Sequence, residues 1–499
     1  MSDARYTRYL RERYRILLGY TGLIFVLVGV LILSPCLLLP AYPEEYVLAW
    51  GLAAPGLSLT VVGGFLWRVC LPRGDENLSR QEGAVVVFLA WSAAVLVGAL
   101  PLMSIGHLTF TQSVFESTSG WTTTGLSIVD VTSAPRLLLF YRSVMQLAGG
   151  AGLAVIMLSA LAGPSGTGLS AAEGRADQLV PNVRRSAKLV VTIYSGYVFF
   201  GCIALRLAGM DWFDAINHAF TAISTGGFST RPESIGFWNS PLVEGVIIVL
   251  MLLGTINFVT TYALLHGKFR AVGRNGEIRL QTLVIPSMAL MVFFGVTAGL
   301  YPTLGKQLRV AIFEVVSALS TTGFSTVGYS NWNDLGWLVL ILLMIIGGGT
   351  GSTAGGLKQY RVYALYRGLL WELRRRWLPR RCVTEPDIWV GEAHRFLADR
   401  ELRQLAAFSF LYLAILSLGT GVLTAYGYSL KESLFEFTSA LGTVGLSAGV
   451  TAADAPGGLL WAEIMGMILG RLEFFVIFIA ITRLITDMTT LAGSALKED

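Results

Sequence analysis

Long apolar runs separated by short polar connections dominate this chain. Two runs, Ile16–Leu39 and Val47–Leu71, come first, and the rest of the chain then repeats a pattern of run, short segment and run. The repeated runs lie near Gly83–Leu102 and Leu137–Leu161, Ala187–Leu207 and Pro241–Leu265, Leu280–Leu300 and Leu335–Ile346, and Leu405–Tyr426 and Leu459–Leu484. Most have about the 20 residues that span a hydrocarbon core as helix. Because backbone groups in lipid must bond internally and the runs are too long for barrel strands, we expect an all-α polytopic membrane protein with ten crossings.

The four segments between the paired runs resemble one another. They are FESTSGWTTTGLS (115–127), NHAFTAISTGGFS (217–229), FEVVSALSTTGFS (313–325) and FEFTSALGTVGLS (435–447), in register on Gly125, Gly227, Gly323 and Gly445. Threonine precedes each glycine by two residues, serine follows by two, and serine or threonine stands six before. Internal repetition of this kind indicates one structural unit used several times. The sequence therefore predicts four helix–pore loop–helix units around one central pore, plus two extra N-terminal transmembrane helices.

The repeat divides the chain into five predicted parts. Residues 1–80 form a cytoplasmic flank and the two extra helices, residues 81–175 the first pore unit and residues 176–275 the second. Residues 276–402 form the third unit, with a glycine-rich interruption and a basic loop, and residues 403–499 form the fourth.

Composition and charge exclude several classes of protein. Hydrophobic residues make up 54% of the chain and charged residues 14%, whereas soluble domains carry about 25% charged residues. The net charge of +5 would suggest nucleic acid in a soluble protein, but here its placement in the connecting loops matters more, and no nucleic-acid partner is expected. The four histidines lie in no HExxH motif and near no GxSxG motif, so we expect that the chain is not an enzyme.

Lysine and arginine lie mostly in the loops between units. They are Arg175, Arg184, Arg185 and Lys188, then Lys268, Arg270, Arg274 and Arg279, then Lys358, Arg361, Arg367, Arg374, Arg375, Arg376, Arg380 and Arg381. The opposite side holds only Arg136, Arg231, Lys306, Arg309 and Lys431. By the positive-inside rule both termini are cytoplasmic, and the four glycine loops enter from outside. The Arg374–Arg381 cluster is either a lipid-contacting flank or a docking surface for a cytoplasmic partner.

The repeated loops have the features of a cation filter. A half-helix entering from outside would point its negative C-terminal dipole at the membrane midplane, where it favours a cation. Backbone carbonyls of the extended residues that follow can replace the hydration shell of a hard cation. The predicted filter residues are Thr123, Thr124 and Gly125, Thr225, Gly226 and Gly227, Thr321, Thr322 and Gly323, and Thr443, Val444 and Gly445. The alternative is that these small residues only permit close helix packing.

Two further features interrupt the apolar crossings. The first is the run Gly347, Gly348, Gly349, Thr350, Gly351, Ser352, Thr353, Ala354, Gly355 and Gly356. It lacks the lysine of a phosphate-binding loop and no βαβ unit surrounds it, so at membrane depth it must border protein or water. The second is Arg471, which should face the pore or a partner such as Glu473 because a charge at this depth is costly. A fixed kink and a structural salt bridge are the respective alternatives.

Each repeat also carries a polar residue nine positions before its glycine. Glu116, Glu314 and Glu436 occupy this position in three repeats, and His218 occupies it in the second. The acids either attract cations or bond to the filter backbone. His218 is expected to pack or to donate and accept hydrogen bonds rather than to sense pH.

The repeated motif FExxSAxxTTGFS and the four-unit plan resemble the Trk/Ktr/HKT superfamily of potassium transport proteins. Other matching stretches are Gly149–Gly152, Gly254–Phe258, Gly347–Gly356 and Gly470–Glu473, and the two extra N-terminal crossings are similar to the TrkH branch. The resemblance covers residues from about Gly83 to Leu484. It implies a pore selective for potassium over sodium because all four filter positions are glycine. It further implies that the 347–356 loop gates the pore and that Arg471 adds a positive barrier beneath the filter.

The resemblance implies partners and a location as well. Potassium would be the transported ion, with no organic cofactor in this chain. The protein would be a homodimer in the bacterial inner membrane, and TrkA-like nucleotide-binding regulatory subunits would dock on its basic cytoplasmic loops. A sodium- or proton-coupled potassium symporter on the same scaffold remains the alternative.

Overall fold

The apolar runs form helices. The computed structural model describes residues 3–71, 78–152, 183–379, 384–390 and 393–495. Within them the helices are α1 (Asp3–Leu33), α2 (Trp50–Cys70), α3 (Arg80–Gly106), α4 (Phe110–Trp121), α5 (Arg136–Ala151), α6 (Val183–Leu207), α7 (Trp212–Ile223), α8 (Pro241–Thr255), α9 (Phe258–Leu265), α10 (Phe269–Arg274), α11 (Gly276–Val292), α12 (Leu304–Leu319), α13 (Asp334–Ile346), α14 (Gln359–Arg375), α15 (Asp399–Ala425), α16 (Leu430–Gly442), α17 (Gly457–Leu472) and α18 (Phe474–Ala495). Shorter helical turns cover Ser34–Leu38, Pro43–Ala49, Ser234–Phe237 and Phe293–Thr297.

A small hairpin is an addition to the predicted all-helical fold. Strands β1 (Asp387–Val390) and β2 (Ala393–Phe396) pair antiparallel, with Asp387 opposite Phe396. The hairpin lies in the basic segment between the third and fourth units, where no strand was predicted.

The helical content agrees with a multi-pass membrane protein. Among the described residues, seven helices are long and apolar enough to cross a membrane, and the bent pair α8 and α9 would make an eighth. The predicted ten crossings also count the second helices of units one and three, α5 and α13, while α17 is the first part of the unit-four crossing that α18 continues. Helices α5, α13 and α17 are shorter, since α5 and α17 have 16 residues each and α13 has 13.

Each predicted unit has a first helix, a short pore helix, a loop and a second helix in that order. The pore helices are α4, α7, α12 and α16. Side chains define where three of them begin: Asp211, Thr303 and Ser429 each accept a hydrogen bond from an early backbone N–H of the helix that follows. Such caps satisfy donors that have no partner within the helix. The pore helices can therefore begin abruptly after a loop.

Two runs that were expected as single crossings are broken. The run Pro241–Leu265 divides into α8 and α9, which are bent by 113°, and the side chain of Asn257 caps the second piece. The run Leu459–Leu484 divides at Glu473, whose φ of +58° cannot continue a helix. Hydropathy alone did not reveal either break, because each run remains apolar on average although Asn257 lies in the first break and Arg471 and Glu473 lie at the second.

Several predicted features lie outside the described residues. They are positions 153–161 of the predicted Leu137–Leu161 crossing, together with Arg175, Arg380 and Arg381. The side chains of Arg184 and Arg185 are also outside the described part of the chain.

The chain forms two compact units. The first contains Met1–Trp121, Ser133–Tyr194 and Leu472–Asp499, and the second contains Thr122–Thr132 and Ser195–Arg471. The second compact unit has a buried apolar core, which is built from α11, α12, α13 and the start of α16. Its large side chains include Trp332, Trp337 and Phe435. All four predicted filter segments belong to this second unit.

The two extra N-terminal helices pack closely against each other within the first compact unit. A Cβ atom on Gly22 would lie 2.7 Å from the carbonyl oxygen of Gly63, and one on Gly29 would lie 2.6 Å from that of Gly56. Small residues allow backbones to approach this closely in membrane helices. The pair α1 and α2 is therefore held by backbone proximity along its length.

Candidate functional site

The four predicted filter glycines form a closed ring of backbone contacts. A Cβ atom added to any one of them would collide with a carbonyl oxygen of the next repeat. The pairs are Gly125 with Gly226 at 2.2 Å, Gly227 with Thr322 at 2.0 Å, Gly323 with Val444 at 1.9 Å, and Gly445 with Thr124 at 2.4 Å. The last pair returns to the first repeat. All twelve predicted filter residues therefore belong to segments that meet at one place.

The same backbone conformation recurs in all four segments. The threonines have φ of +55° at Thr123, +51° at Thr225, +54° at Thr321 and +50° at Thr443, and the glycines have +96°, +75°, +80° and +97° in the same order. A β-branched residue with positive φ is strained and rare. Such strain persists only where the surroundings impose it, and it concentrates at functional sites. Fourfold repetition of it supports one shared task for the loops.

The serine or threonine six residues before each glycine braces the turn. In three repeats its carbonyl oxygen accepts the N–H of the residue just before the glycine: Thr221 from Gly226 (2.8 Å), Ser317 from Thr322 (3.1 Å) and Ser439 from Val444 (2.9 Å). The Ser439 hydroxyl also accepts from the N–H of Gly445 at 3.0 Å. These bonds connect the pore helices of repeats two, three and four directly to their filter segments.

In repeats two, three and four the polar residue nine positions before the glycine contacts the segment that follows the predicted filter. Glu314 accepts from the N–H of Thr326 at 2.8 Å, and Glu436 accepts from the N–H of Ala448 at 2.6 Å. His218 replaces the acid in the second repeat and lies 3.0 Å from the Ser229 hydroxyl. All three are fully buried. The contacts of the two glutamates match the alternative in which the acids bond to the backbone. They do not match exposed acids that attract cations.

The first repeat uses a different arrangement at this position. Glu116 accepts a hydrogen bond of 2.7 Å from Nε of Arg142, and both side chains are almost completely buried. The carboxylate is thus compensated by an arginine from α5.

The glycine-rich loop after α13 contacts three of the four filter threonines. The N–H of Gly355 donates to the Thr321 hydroxyl at 2.7 Å, and the Thr225 hydroxyl lies 3.2 Å from that of Thr353. A Cβ atom on Gly355 would lie 2.0 Å from the Thr443 hydroxyl. The loop that was predicted to act as a gate therefore lies directly against the filter.

Thr353 and Arg471 anchor this loop. The Thr353 hydroxyl donates to the carbonyl oxygens of Gly254 (2.8 Å) and Ile223 (3.0 Å). Its own carbonyl oxygen accepts a hydrogen bond of 2.6 Å from Nη1 of Arg471. Arg471 is the second-last residue of α17, so the end of the fourth unit's helix reaches the loop of the third unit.

The filter threonines are not equivalent in their hydroxyl contacts. Those of Thr225 and Thr321 are bound by the glycine loop, whereas the buried hydroxyls of Thr123 and Thr443 have no hydrogen-bond partner among the described residues. Oxygen atoms of this kind suit a hard cation. No cluster of three or more His, Cys, Asp or Glu side chains among the described residues could hold a metal ion.

The glycine stretches in the second helices have a packing role. A Cβ atom on Gly149, Gly254 or Gly470 would lie 1.9, 2.7 or 1.9 Å from a carbonyl oxygen at the end of the preceding pore helix. These oxygens belong to Trp121, Ile223 and Leu441, each four residues before its filter glycine. The helices also end or break within six residues of these glycines.

Sequence reasoning did not find several residues that hold the glycine loop. Glu277, Gln281 and Gln359 contact it or each other, and none lies in a repeated motif. The only available signal was the presence of polar residues in or beside the apolar run that begins near Leu280.

Comparison with known proteins gives a consistent result. Residues 59–489 match the family model described as TrkH, a cation transport protein. An uncharacterized cation transporter of Methanocaldococcus jannaschii is 30% identical over 93% of this chain and 94% of its own length. The Trk system potassium uptake protein TrkH of Escherichia coli is 31% identical over 84% of this chain and 89% of its own length. The crystal structure of the potassium transporter TrkH from Vibrio parahaemolyticus superposes with a TM-score of 0.82 at 27% identity, covering 93% of this chain and 98% of that chain.

Proposed function

This chain belongs to the TrkH family of cation transport proteins, and we propose that it conducts potassium ions across the membrane through the ring of its four filter segments. The observation that carries the proposal is the closed backbone ring of Gly125, Gly227, Gly323 and Gly445. A ring of backbone carbonyls can replace the hydration shell of a cation, and an all-oxygen site suits a hard ion. Membership of a family of transport proteins also confirms the prediction that the chain is not an enzyme.

Two facts support potassium as the ion. The relatives from Escherichia coli and Vibrio parahaemolyticus are named as potassium uptake or transport proteins. In addition, glycine occupies the filter position in all four repeats, which the resemblance associates with potassium rather than sodium. The sites for the ion would be formed by the twelve filter residues, including the hydroxyls of Thr123 and Thr443, which have no other described partner.

The glycine loop 347–356 would gate this path. It contacts Thr225, Thr321 and Thr443, so an ion leaving the filter on that side meets the loop. Arg471 would contribute in two ways: it holds the loop through the Thr353 carbonyl oxygen, and it places a positive charge there. Opening requires the loop to leave the filter threonines.

We further propose the location and partners that the sequence implied. Both termini and the basic loops between units would be cytoplasmic, in the inner membrane of a bacterium, because lysine and arginine concentrate in those loops. A homodimer and TrkA-like nucleotide-binding regulatory subunits remain predictions from the resemblance.

Ion flux into liposomes tests the proposal. Purified full-length protein is reconstituted, and uptake of potassium, rubidium, sodium and lithium is compared in each case with protein-free liposomes. We expect potassium and rubidium to enter faster than sodium and lithium. The variant Gly227→Val provides a blocked control, because its side chain would collide with the Thr322 carbonyl oxygen. Equal flux in this variant would contradict the filter assignment.

The same preparation separates conduction from coupled transport. A sodium or proton gradient is imposed across liposomes that hold equal potassium on both sides. Uphill movement of potassium driven by either gradient would establish a symporter and overturn the passive mechanism.

A further inference from the structure

A buried carboxylate outside the filter contacts the tip of the glycine loop. Glu277 lies in the first turn of α11 and is only 8% exposed. One of its carboxylate oxygens accepts a hydrogen bond of 2.7 Å from the backbone N–H of Thr350. A hydrogen bond to an ionised acceptor is about twice as strong as one between neutral groups.

Neighbouring residues fix the backbone of Glu277. The side-chain oxygen of Asn275 accepts from the N–H of Glu277 at 2.9 Å, and its amide nitrogen donates to the Thr260 hydroxyl at 2.8 Å. The start of α11 is therefore tied to α9, which follows the break in the second unit. The backbone position of Glu277 therefore does not depend on the loop.

The tip of the loop is held from a second side by that same break. The N–H of Gly349 donates to the carbonyl oxygen of Thr255 at 3.0 Å, and the N–H of Phe258 donates to that of Gly351 at 3.4 Å. Both are neutral backbone contacts. Glu277 adds the charged contact on the residue between them.

The base of the loop is held one helical turn further along α11. Gln281 donates to the side-chain oxygen of Gln359 at 2.8 Å, and Gln359 donates to the carbonyl oxygen of Gly347 at 2.9 Å. The backbone N–H of Gln359 also donates to the carbonyl oxygen of Gly348 at 2.8 Å. Residues four apart lie on one face of a helix, so a single face of α11 holds both the tip and the base of the loop.

We propose that Glu277 is a positioning residue that latches the tip of the glycine loop, residues 349–351, to α11 and so keeps the loop in its position beside the filter, while Gln281 and Gln359 fix its base. Opening then begins with loss of the Glu277–Thr350 hydrogen bond and proceeds as a movement of the tip about its base. This inference rests on the proposed gating function of the loop. It adds that the Glu277–Thr350 hydrogen bond sets the equilibrium between the closed and open positions of the loop.

Removal of the latch should increase basal ion flux. We expect Glu277→Ala to raise rubidium flux into liposomes by about 10- to 100-fold, since a hydrogen bond to a charged group stabilises by that factor. Glu277→Gln keeps a neutral acceptor and should give a smaller increase. The preference for potassium over sodium should not change in either variant, because the filter ring is untouched.

Hydrogen exchange gives a readout that a purely structural role would not alter in the same way. Backbone amides of residues 349–351 should exchange faster in Glu277→Ala, whereas amides of the pore helices α12 and α16 should be unchanged. If Glu277→Ala is not recovered as folded protein, Glu277→Gln provides the same two measurements. Unchanged flux together with unchanged exchange at residues 349–351 in a folded variant would overturn the latch.

A matched variant controls for the loss of a buried carboxylate. Glu244 is also buried, but it accepts from Arg309 at 3.1 Å and has no described contact with the loop. Glu244→Gln should leave both flux and loop exchange as in the unaltered protein. Faster flux in this variant as well would indicate a general loosening of the protein and contradict a specific role of Glu277.

Failure of the unaltered protein to conduct would instead reject the proposed function, while hydrogen exchange at residues 349–351 would still report on the latch.

Discussion

Nη1 of Arg471 donates a hydrogen bond of 2.6 Å to the carbonyl oxygen of Thr353. This bond connects the end of α17 to the centre of the glycine loop, at the residue whose hydroxyl also bonds to Gly254. One arginine thus brings a positive charge to the glycine loop and bonds to it directly.

Arg471→Ala should increase basal flux. Loss of a hydrogen bond from a charged donor costs about 1.5–3 kcal/mol, which shifts the loop toward its open position by roughly 10- to 100-fold, and the positive charge is removed as well. Arg471→Lys keeps the charge and should give a smaller increase. Liposome flux of rubidium measures both variants. A rate equal to or below that of the unaltered protein, with the variant shown to be folded, would remove Arg471 from the gate.

Gly125→Ser should let sodium compete better with potassium. The new Cβ would lie 2.2 Å from the Gly226 carbonyl oxygen, so the ring must distort and its carbonyls must move. Because Gly125 also has a φ of +96°, the substitution strains the backbone in any case. Gly449→Ser controls for that strain, since Gly449 has a φ of +89° and no atom within 4 Å of its added Cβ. We expect altered selectivity only in Gly125→Ser. The same selectivity in both variants would contradict the filter assignment.

Thr353→Val should loosen the glycine loop. Valine has nearly the same shape but cannot donate to the carbonyl oxygens of Gly254 and Ile223, which then lose a buried partner. Thr350→Val is the matched comparison, because the buried Thr350 hydroxyl has no hydrogen-bond partner among the described residues. Rubidium flux should rise more in Thr353→Val than in Thr350→Val. The opposite order would show that the Thr353 hydroxyl does not hold the loop closed.

Glu116→Gln should destabilise the protein strongly. The substitution takes from Arg142, a buried guanidinium, the carboxylate 2.7 Å away. Breaking a buried ion pair from one side costs about 3–5 kcal/mol because a charge is left uncompensated. Glu314→Gln should cost less, since its described partners Thr326 and Tyr329 are neutral. Thermal unfolding of the purified variants in detergent measures the difference.

The double variant Glu116→Gln, Arg142→Met checks the cause of that loss. Removing both charges should recover most of the stability, because no uncompensated charge remains. If the double variant is less stable than Glu116→Gln alone, the ion pair is not the reason for the effect.

The amino-acid sequence determined the class of fold and predicted the residues of the filter. Apolar runs of membrane-spanning length can form only helices in lipid, so the helical, multi-pass architecture followed from hydropathy. The Thr-X-Gly register followed from the fourfold repetition, because a ring of equivalent contacts requires the same residue in each copy. The glycines at 125, 227, 323 and 445 were predictable for that reason, and each has a neighbouring backbone where a Cβ would be.

Only the tertiary structure decided how the copies differ. The breaks at Asn257 and Glu473 escaped prediction because both runs are apolar on average, and a change of chain direction leaves hydropathy unaltered. The role of Arg142 depends on its distance from Glu116, and that of Glu277 depends on a loop 73 residues away in the chain. Such contacts join positions that share no sequence pattern. Repetition thus specified the four equivalent glycine segments, whereas the contacts that hold the glycine loop arise from single residues that the fold brings together.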